Sequence, residues 1–187
     1  MRSRSLWLLS AICVVPAAGA FWLHRHSTRF DDVIAQASAR HAVDYYVVKA
    51  IIFEESWFRP DVRGTAGEYG LMQITLAAAA DFTNTKSFPA LYRPRLLEPE
   101  LNIEIGCWYL RQSLNRYKDT PQPMLFALLR YNAGEVRADH WAKLALGSPV
   151  PPHRTPENHY LSLVDFPKTR EYARRVLERA RSRNFWL

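Results

Sequence analysis

The chain is poor in cysteine: Cys13 and Cys107 are the only two among 187 residues. Cys13 lies in an N-terminal apolar run, so the remainder holds a single thiol and no disulfide can close within it. That excludes a disulfide-stapled scaffold and leaves the compartment open. Cys107 falls on an apolar helical stripe, where a free cysteine is expected to be a small core residue. The six histidines (His24, His26, His41, His140, His153, His159) are scattered, and neither H-E-x-x-H nor C-x-x-C occurs. No metal site and no cofactor are therefore expected. Gly64, Gly67 and Gly70 are closely spaced, but no Lys-Ser or Lys-Thr pair follows them, which excludes a phosphate loop. Strand signals are few, and no internal repeat, low-complexity block or second domain is visible. The expectation is a single all-α domain.

What is present belongs to a globular protein: 48% hydrophobic and 23% charged residues. The net charge of +7 favours a polyanionic partner, whether nucleic acid, anionic lipid or an acidic wall polymer. Charge alone does not choose among them, but no nucleic-acid-binding motif accompanies it. Arg2 and Arg4 precede an apolar run from Ser5 to about Leu23, with Pro16 and then Ala18-Gly19-Ala20. Such a run reads as an export signal cut before Phe21, or as an uncut membrane anchor. Residues 1–23 are thus expected to be a signal peptide or anchor helix, 24–29 a linker and 30–187 the folded domain. Either reading places that domain outside the cytoplasm, with membrane association possible through residues 5–23.

Ser27 or Thr28 is expected to cap a helix carrying Phe30, Val33, Ile34 and Ala37, and Asp44 the next. Thr75 is expected to open a short helix over Ala77 to Ala80. A longer one carries Ile103, Gly106, Cys107, Leu110 and Leu114, and Gly106 suits close approach of a neighbouring helix. Met124 to Leu129 is apolar all round and reads as a central buried helix ending at Gly134. Glu135 to Leu146 is another helix, and Gly147 to Pro156, with four prolines, a loop. The last helix, about Pro167 to Arg183, is rich in basic residues. They read as a solvated face or as a contact for anionic wall polymer or lipid headgroups.

The chemistry concentrates between Val47 and Thr75. Val48, Ile51 and Ile52 fall at i, i+3 and i+4 of a helix, and Glu55 at i+7 lies near the centre of that apolar face. A carboxyl there, with no cation beside it, has its pKa raised and stays protonated near neutral pH, as a general acid must. Glu54 lies about a quarter turn away and is the lesser candidate. Pro60 is expected to stop the helix, with Trp57 and Phe58 at its exit. Gln73 is a polar group among Leu71, Met72 and Ile74. Asp61 and Glu68 lie in the glycine loop, and nothing in the sequence sets either opposite Glu55.

The run E-S-W-F-R-P from Glu55, followed by G-x-x-G-L-M-Q-I from Gly67, resembles the signature of the SLT-type lytic transglycosylases. The resemblance extends to NIEIGCWYL from Asn102, RYNAG from Arg130 and FPKTREYARRV from Phe166, in that order, covering most of the chain beyond about residue 30. It implies a lysozyme-like, all-α domain with a substrate groove that cleaves peptidoglycan between N-acetylmuramic acid and N-acetylglucosamine, leaving a 1,6-anhydro end. Glu55 is then the sole acid and base. Ser56, Met72, Gln73, Tyr131, Asn132 and Tyr172 are implied at the substrate side, Tyr131 orienting Glu55 or the glycan strand.

Three positions depart from the family pattern: Gly64 where serine is frequent, Arg130 where a small residue is usual, and Lys168 where glutamate is common. A hydrolytic goose-type lysozyme and a non-catalytic peptidoglycan-binding scaffold are the alternatives. Nothing in the sequence names a cell-envelope assembly partner or a biological role.

Overall fold

The structure, a computed structural model, describes residues 25–185. The apolar run assigned to export lies outside them. Within the described residues the fold is all-α, with no strand and only isolated bridges pairing Tyr69 with Arg63 and Ile74. The helices are α1 (Asp31–His41), α2 (Tyr45–Ser56), α3 (Leu76–Phe82), α4 (Pro99–Arg116), α5 (Pro123–Ala133), α6 (Glu135–Leu146), α7 (Pro156–Ser162) and α8 (Pro167–Ser182), with a 3-10 helix over Ala90–Leu97.

Local signals set several of these boundaries. The Asp44 carboxylate accepts from the Val47 N–H at 2.9 Å and opens α2. The Thr75 hydroxyl accepts from Ala78 N–H and opens α3. Proline occupies the first turn of α4, α5, α7 and α8, where its missing N–H costs no hydrogen bond. Elsewhere the structure departs from the sequence reading. Residues 25–28, expected as linker, are helical, and α1 starts at Asp31 with Phe30 as a cap that makes no side-chain hydrogen bond. Neither Ser27 nor Thr28 caps it. Helix α2 ends at Ser56, well before Pro60, because Trp57 and Phe58 both take the left-handed conformation (φ 53° and 58°). Two bulky residues in that region cost about 1–2 kcal/mol each, offset at Phe58 by its burial against the rings of Phe53 and Phe185. The proline-rich stretch gives way to α7, which Thr155 caps.

Helix α5 is the centre of the fold. Leu125 through Leu129 are buried all round, and α4, α6 and α8 pack against it. Helix α2 packs on α8, and α1 on α2 and α4. Gly106 on α4 is buried for a reason other than helix packing. A Cβ there would lie 2.3 Å from Met72 Sδ, so the glycine receives the Met72 side chain rather than a neighbouring helix. Cys107 is fully buried beside it.

The loop between α2 and α3 is pinned from α4 by Asn102, which is fully buried. Its side-chain oxygen accepts from Met72 N–H at 2.7 Å, and its amide donates to the carbonyls of Tyr69 and Leu96, both at 2.7 Å. One side chain thereby satisfies three backbone groups that burial would otherwise leave unpaired. Gly70 sits against it with φ +72°, and a Cβ there would meet the Asn102 amide at 2.6 Å. The loop thus has a fixed position over the C-terminal end of α2.

Candidate active site

Two adjacent carboxylates at the end of α2 have opposite surroundings. Glu54 is clamped by α8: Arg175 Nε donates to it at 2.7 Å and Arg179 Nε at 3.2 Å. The Arg179 guanidinium also lies over the Phe53 ring at 3.6 Å. Glu54 is therefore a charged tie between α2 and α8. Glu55 forms no ion pair among the described residues. It is half-buried, and withdrawal from water pushes its pKa up from 4.5 to about 7, with the charges of Glu68 and Glu54 acting in the same direction. One turn of helix thus holds one carboxylate for structure and leaves its neighbour a proton at neutral pH.

Two tyrosines from different helices face Glu55. Tyr131, near the end of α5, donates its hydroxyl to the Met72 carbonyl at 2.7 Å and so joins α5 to the loop. Its ring meets Tyr109 of α4 edge-on at 5.8 Å. Tyr172 on α8 has a buried hydroxyl with no partner of good hydrogen-bond geometry, and it lies close enough to Glu55 to favour the ionised carboxyl. Burial and the Glu55 charge hold both phenols well above their ordinary pKa, so both stay neutral O–H donors. The Tyr172 hydroxyl is placed to receive the negative charge that appears on Glu55 once its proton has left. Tyr172→Phe removes that donor. The Glu55 midpoint is expected to move further up and turnover to fall about tenfold, read as an alkaline shift in the pH–rate profile.

Two cavities flank this group. One, about 230 Å³, is lined by Gln73, Thr75, Tyr109, Arg130, Tyr131 and Asn132 among others. The other, about 480 Å³, is lined by Asn132, Pro167, Lys168, Glu171, Tyr172 and Arg175. Asn132 borders both. It is exposed, and its side-chain oxygen is held by the Thr169 hydroxyl at 2.7 Å. Gln73, Tyr131 and Asn132 thus line the first cavity and Asn132 and Tyr172 the second, and the charge of Glu55 acts on both tyrosines.

The structure places neither Ser56 nor Met72 on these cavities, and both substrate-side assignments are corrected. Ser56 is 3% exposed, and its hydroxyl reaches the carbonyls of Ile52 (3.0 Å) and Leu71 (2.8 Å), tying the helix to the loop. Met72 is fully buried with its sulfur against Gly106. Both stand in the motif, but the helix turn and the loop turn them inward. Arg130 is likewise spent within the fold: it lies over the Tyr109 ring at 4.4 Å and donates to Ser113 and Glu135.

The basic face of α8 is mostly occupied too. Besides the pair on Glu54, Arg174 binds Glu171, Arg181 binds Glu157, and Arg183 lies over the Tyr46 ring. The reading of that face as a landing site for an anionic polymer loses most of its free charge. Among the described residues no group of His, Cys, Asp and Glu is arranged to hold a metal ion. Asn102 and the Glu54 clamp went unassigned in the sequence. Asn102 had a signal: it sits at i−4 from Gly106, on the buried stripe of α4. The clamp had none, since its partners lie 121 and 125 positions apart.

Comparison with known proteins adds a second line of observation. Residues 32–148 match the family described as Transglycosylase SLT domain. The soluble lytic murein transglycosylase of Salmonella typhimurium is 30% identical over 175 residues, which is 91% of this chain and 25% of that protein. Membrane-bound lytic murein transglycosylase F of Desulfosudis oleivorans is 32% identical over 67% of this chain and 26% of its own length. The chain thus spans about a quarter of the length of these curated relatives. Among solved structures, a 70-kDa soluble lytic transglycosylase in complex with bulgecin A aligns with a TM-score of 0.69 at 25% identity, over 88% of this chain and 26% of that one. Lytic transglycosylase Slt of Pseudomonas aeruginosa aligns with a TM-score of 0.64 at 23% identity, over 82% of this chain and 23% of that one.

Proposed function

This chain belongs to the Transglycosylase SLT domain family, with its lysozyme-like all-α fold, and from that premise we propose that it is a peptidoglycan lytic transglycosylase with Glu55 as its single acid and base. The observation that carries the reading is the pairing of an uncompensated, half-buried Glu55 with two neutral tyrosines, each of which lines a cavity that Asn132 also borders. Glu55 donates its proton to the oxygen joining N-acetylmuramic acid to N-acetylglucosamine as the bond to the anomeric carbon breaks. The 2-acetamido group of the muramoyl sugar covers the anomeric carbon meanwhile. Glu55, now a carboxylate next to the Tyr172 hydroxyl, then takes the proton of the muramoyl 6-hydroxyl. That oxygen closes onto the anomeric carbon, and a 1,6-anhydro end leaves with no water consumed. One residue serves both steps because a pKa of about 7 lets it give and take a proton near neutral pH.

Gln73 and Asn132, which line one cavity, hold the glycan strand in this reading. Residues 1–23 carry the domain to the cell envelope, as a cut signal or as an anchor; the flanking arginines and small-residue stretch support that role. Among the described residues no helix is long and apolar enough to cross a membrane. Mass spectrometry of the fragments released from purified sacculi tests the reading. Anhydro ends are expected to dominate, and their complete absence would overturn it.

A further inference from the structure

Of the three positions that depart from the family pattern, two are accounted for inside the fold. A Cβ on Gly64 would run into the Glu68 carboxylate and lie 2.7 Å from Gln73 Oε1, so the closed loop has no room for a side chain there. Arg130 is held by Tyr109, Ser113 and Glu135. Lys168 is different. It is exposed in the first turn of α8, and its ammonium has no ion-pair or hydrogen-bond partner among the described residues. A cation at that end opposes the helix dipole, and neither an acidic residue in the turn nor a side-chain cap offsets it. Helix stability therefore does not account for a lysine here.

The surroundings of Lys168 do. It lines the larger of the two cavities described above, about 480 Å³, together with Asn132, Glu171, Tyr172 and Arg175. The other charges on this wall are already engaged. Arg175 donates to Glu54 at 2.7 Å, and Glu171 accepts from Arg174 at 2.7 Å. Among the described residues that line the cavity, Lys168 is the charge left without a counter-ion. Asn132 adds to the same polarity. Its side-chain oxygen is taken by the Thr169 hydroxyl at 2.7 Å, which leaves the amide N–H groups to donate. An unspent ammonium and an unspent amide thus share one cavity. Such a wall favours an acceptor, and the ammonium favours an anionic one. Asn132 also lines the neighbouring cavity with Gln73 and Tyr131, so a strand lying along both would bring its substituents past Lys168.

We propose that Lys168 is a specificity-determining residue that binds a carboxylate carried by the glycan strand, so that strands with a carboxylate in this cavity are preferred over neutral ones. The inference rests on the reading of these cavities as a glycan-cleaving site and names what one of them selects. A muramoyl sugar can supply the carboxylate in two ways. Its own lactyl carboxylate is free when no peptide is attached. When a peptide is attached, the lactyl group is an amide and the carboxylates are those of the peptide. Lys168 is exposed, so the contact is of ordinary surface strength and is weakened by salt.

The test measures kcat and KM of the full chain and of Lys168→Met and Lys168→Glu on three preparations of glycan strands. One keeps its peptides, one is stripped of peptide so that the lactyl carboxylates are free, and one is stripped and has those carboxylates converted to neutral methylamides. Relative to the methylamide strands, Lys168→Met is expected to raise KM on a carboxylate-bearing preparation about fivefold, and Lys168→Glu to raise it further, with kcat unchanged. An effect on the stripped strands assigns the lactyl carboxylate, and an effect on the peptide-bearing strands assigns the peptide. Raising the salt concentration is expected to shrink the wild-type preference. A KM change that is equal on all three preparations, largest on the methylamide strands, or below about twofold on every one would overturn the role of Lys168 and leave the transglycosylase reading standing. A wild-type chain that releases no fragments from any preparation would instead overturn the cleavage reading on which the inference rests.

Discussion

Glu55→Gln is expected to lower the release of fragments from purified sacculi by about a thousandfold or more, while binding to the same sacculi is kept. Glutamine preserves the shape of the side chain and part of its hydrogen bonding but has no proton to deliver. No other group near the cavities can take over. Glu54 is engaged by Arg175 and Arg179, and burial keeps the Tyr131 and Tyr172 phenols neutral. Retained binding with lost turnover also separates this reading from a non-catalytic scaffold, for which wild type and variant would behave alike. Turnover that survives the substitution contradicts the assignment.

The same substitution is expected to stabilise the folded domain, and only at the alkaline end. Between its ordinary value of 4.5 and its folded value of about 7, Glu55 keeps a proton in the folded state that it loses on unfolding. The folded state therefore binds more protons across that window, and stability falls as pH rises through it, by up to about 3 kcal/mol. Above that window the loss is complete. Glutamine does not titrate, and the remaining groups cancel in the comparison. The stability difference should be small below pH 4.5 and grow to its full value, in favour of glutamine, above about pH 7. Urea unfolding of both proteins across this range reads it directly. A difference that stays constant with pH would show that the carboxyl is solvated like any other.

What could be read from the sequence was local. Val48, Ile51, Ile52 and Glu55 share a face because helical periodicity depends on spacing alone, and Asp44 and Thr75 cap their helices within a few residues of themselves. The apolar run of α5 announced its central place for the same reason. What could not be read depends on contacts across the chain or on where a residue turns. The Glu54 clamp joins positions more than a hundred apart. Ser56 and Met72 lie in the motif, yet membership in a motif does not fix orientation, and both point into the core. The position of Glu68 depends on what Gly64 lacks, which becomes visible only once the loop has closed. Helix α7 follows a proline-rich stretch whose composition reads as loop, although Thr155 and Pro156 form an ordinary helix start.

One measurement reaches the central claim without relying on any assay of the wall. Carbon-detected NMR of the side-chain carboxyls, with Glu55 assigned by its loss in Glu55→Gln, follows the protonation of this group alone. The account predicts a midpoint near 7, well above the 4.5 of an ordinary glutamate. A Glu55 midpoint at or below 4.5 would mean that the carboxyl has no proton to give at neutral pH, and the account would be wrong.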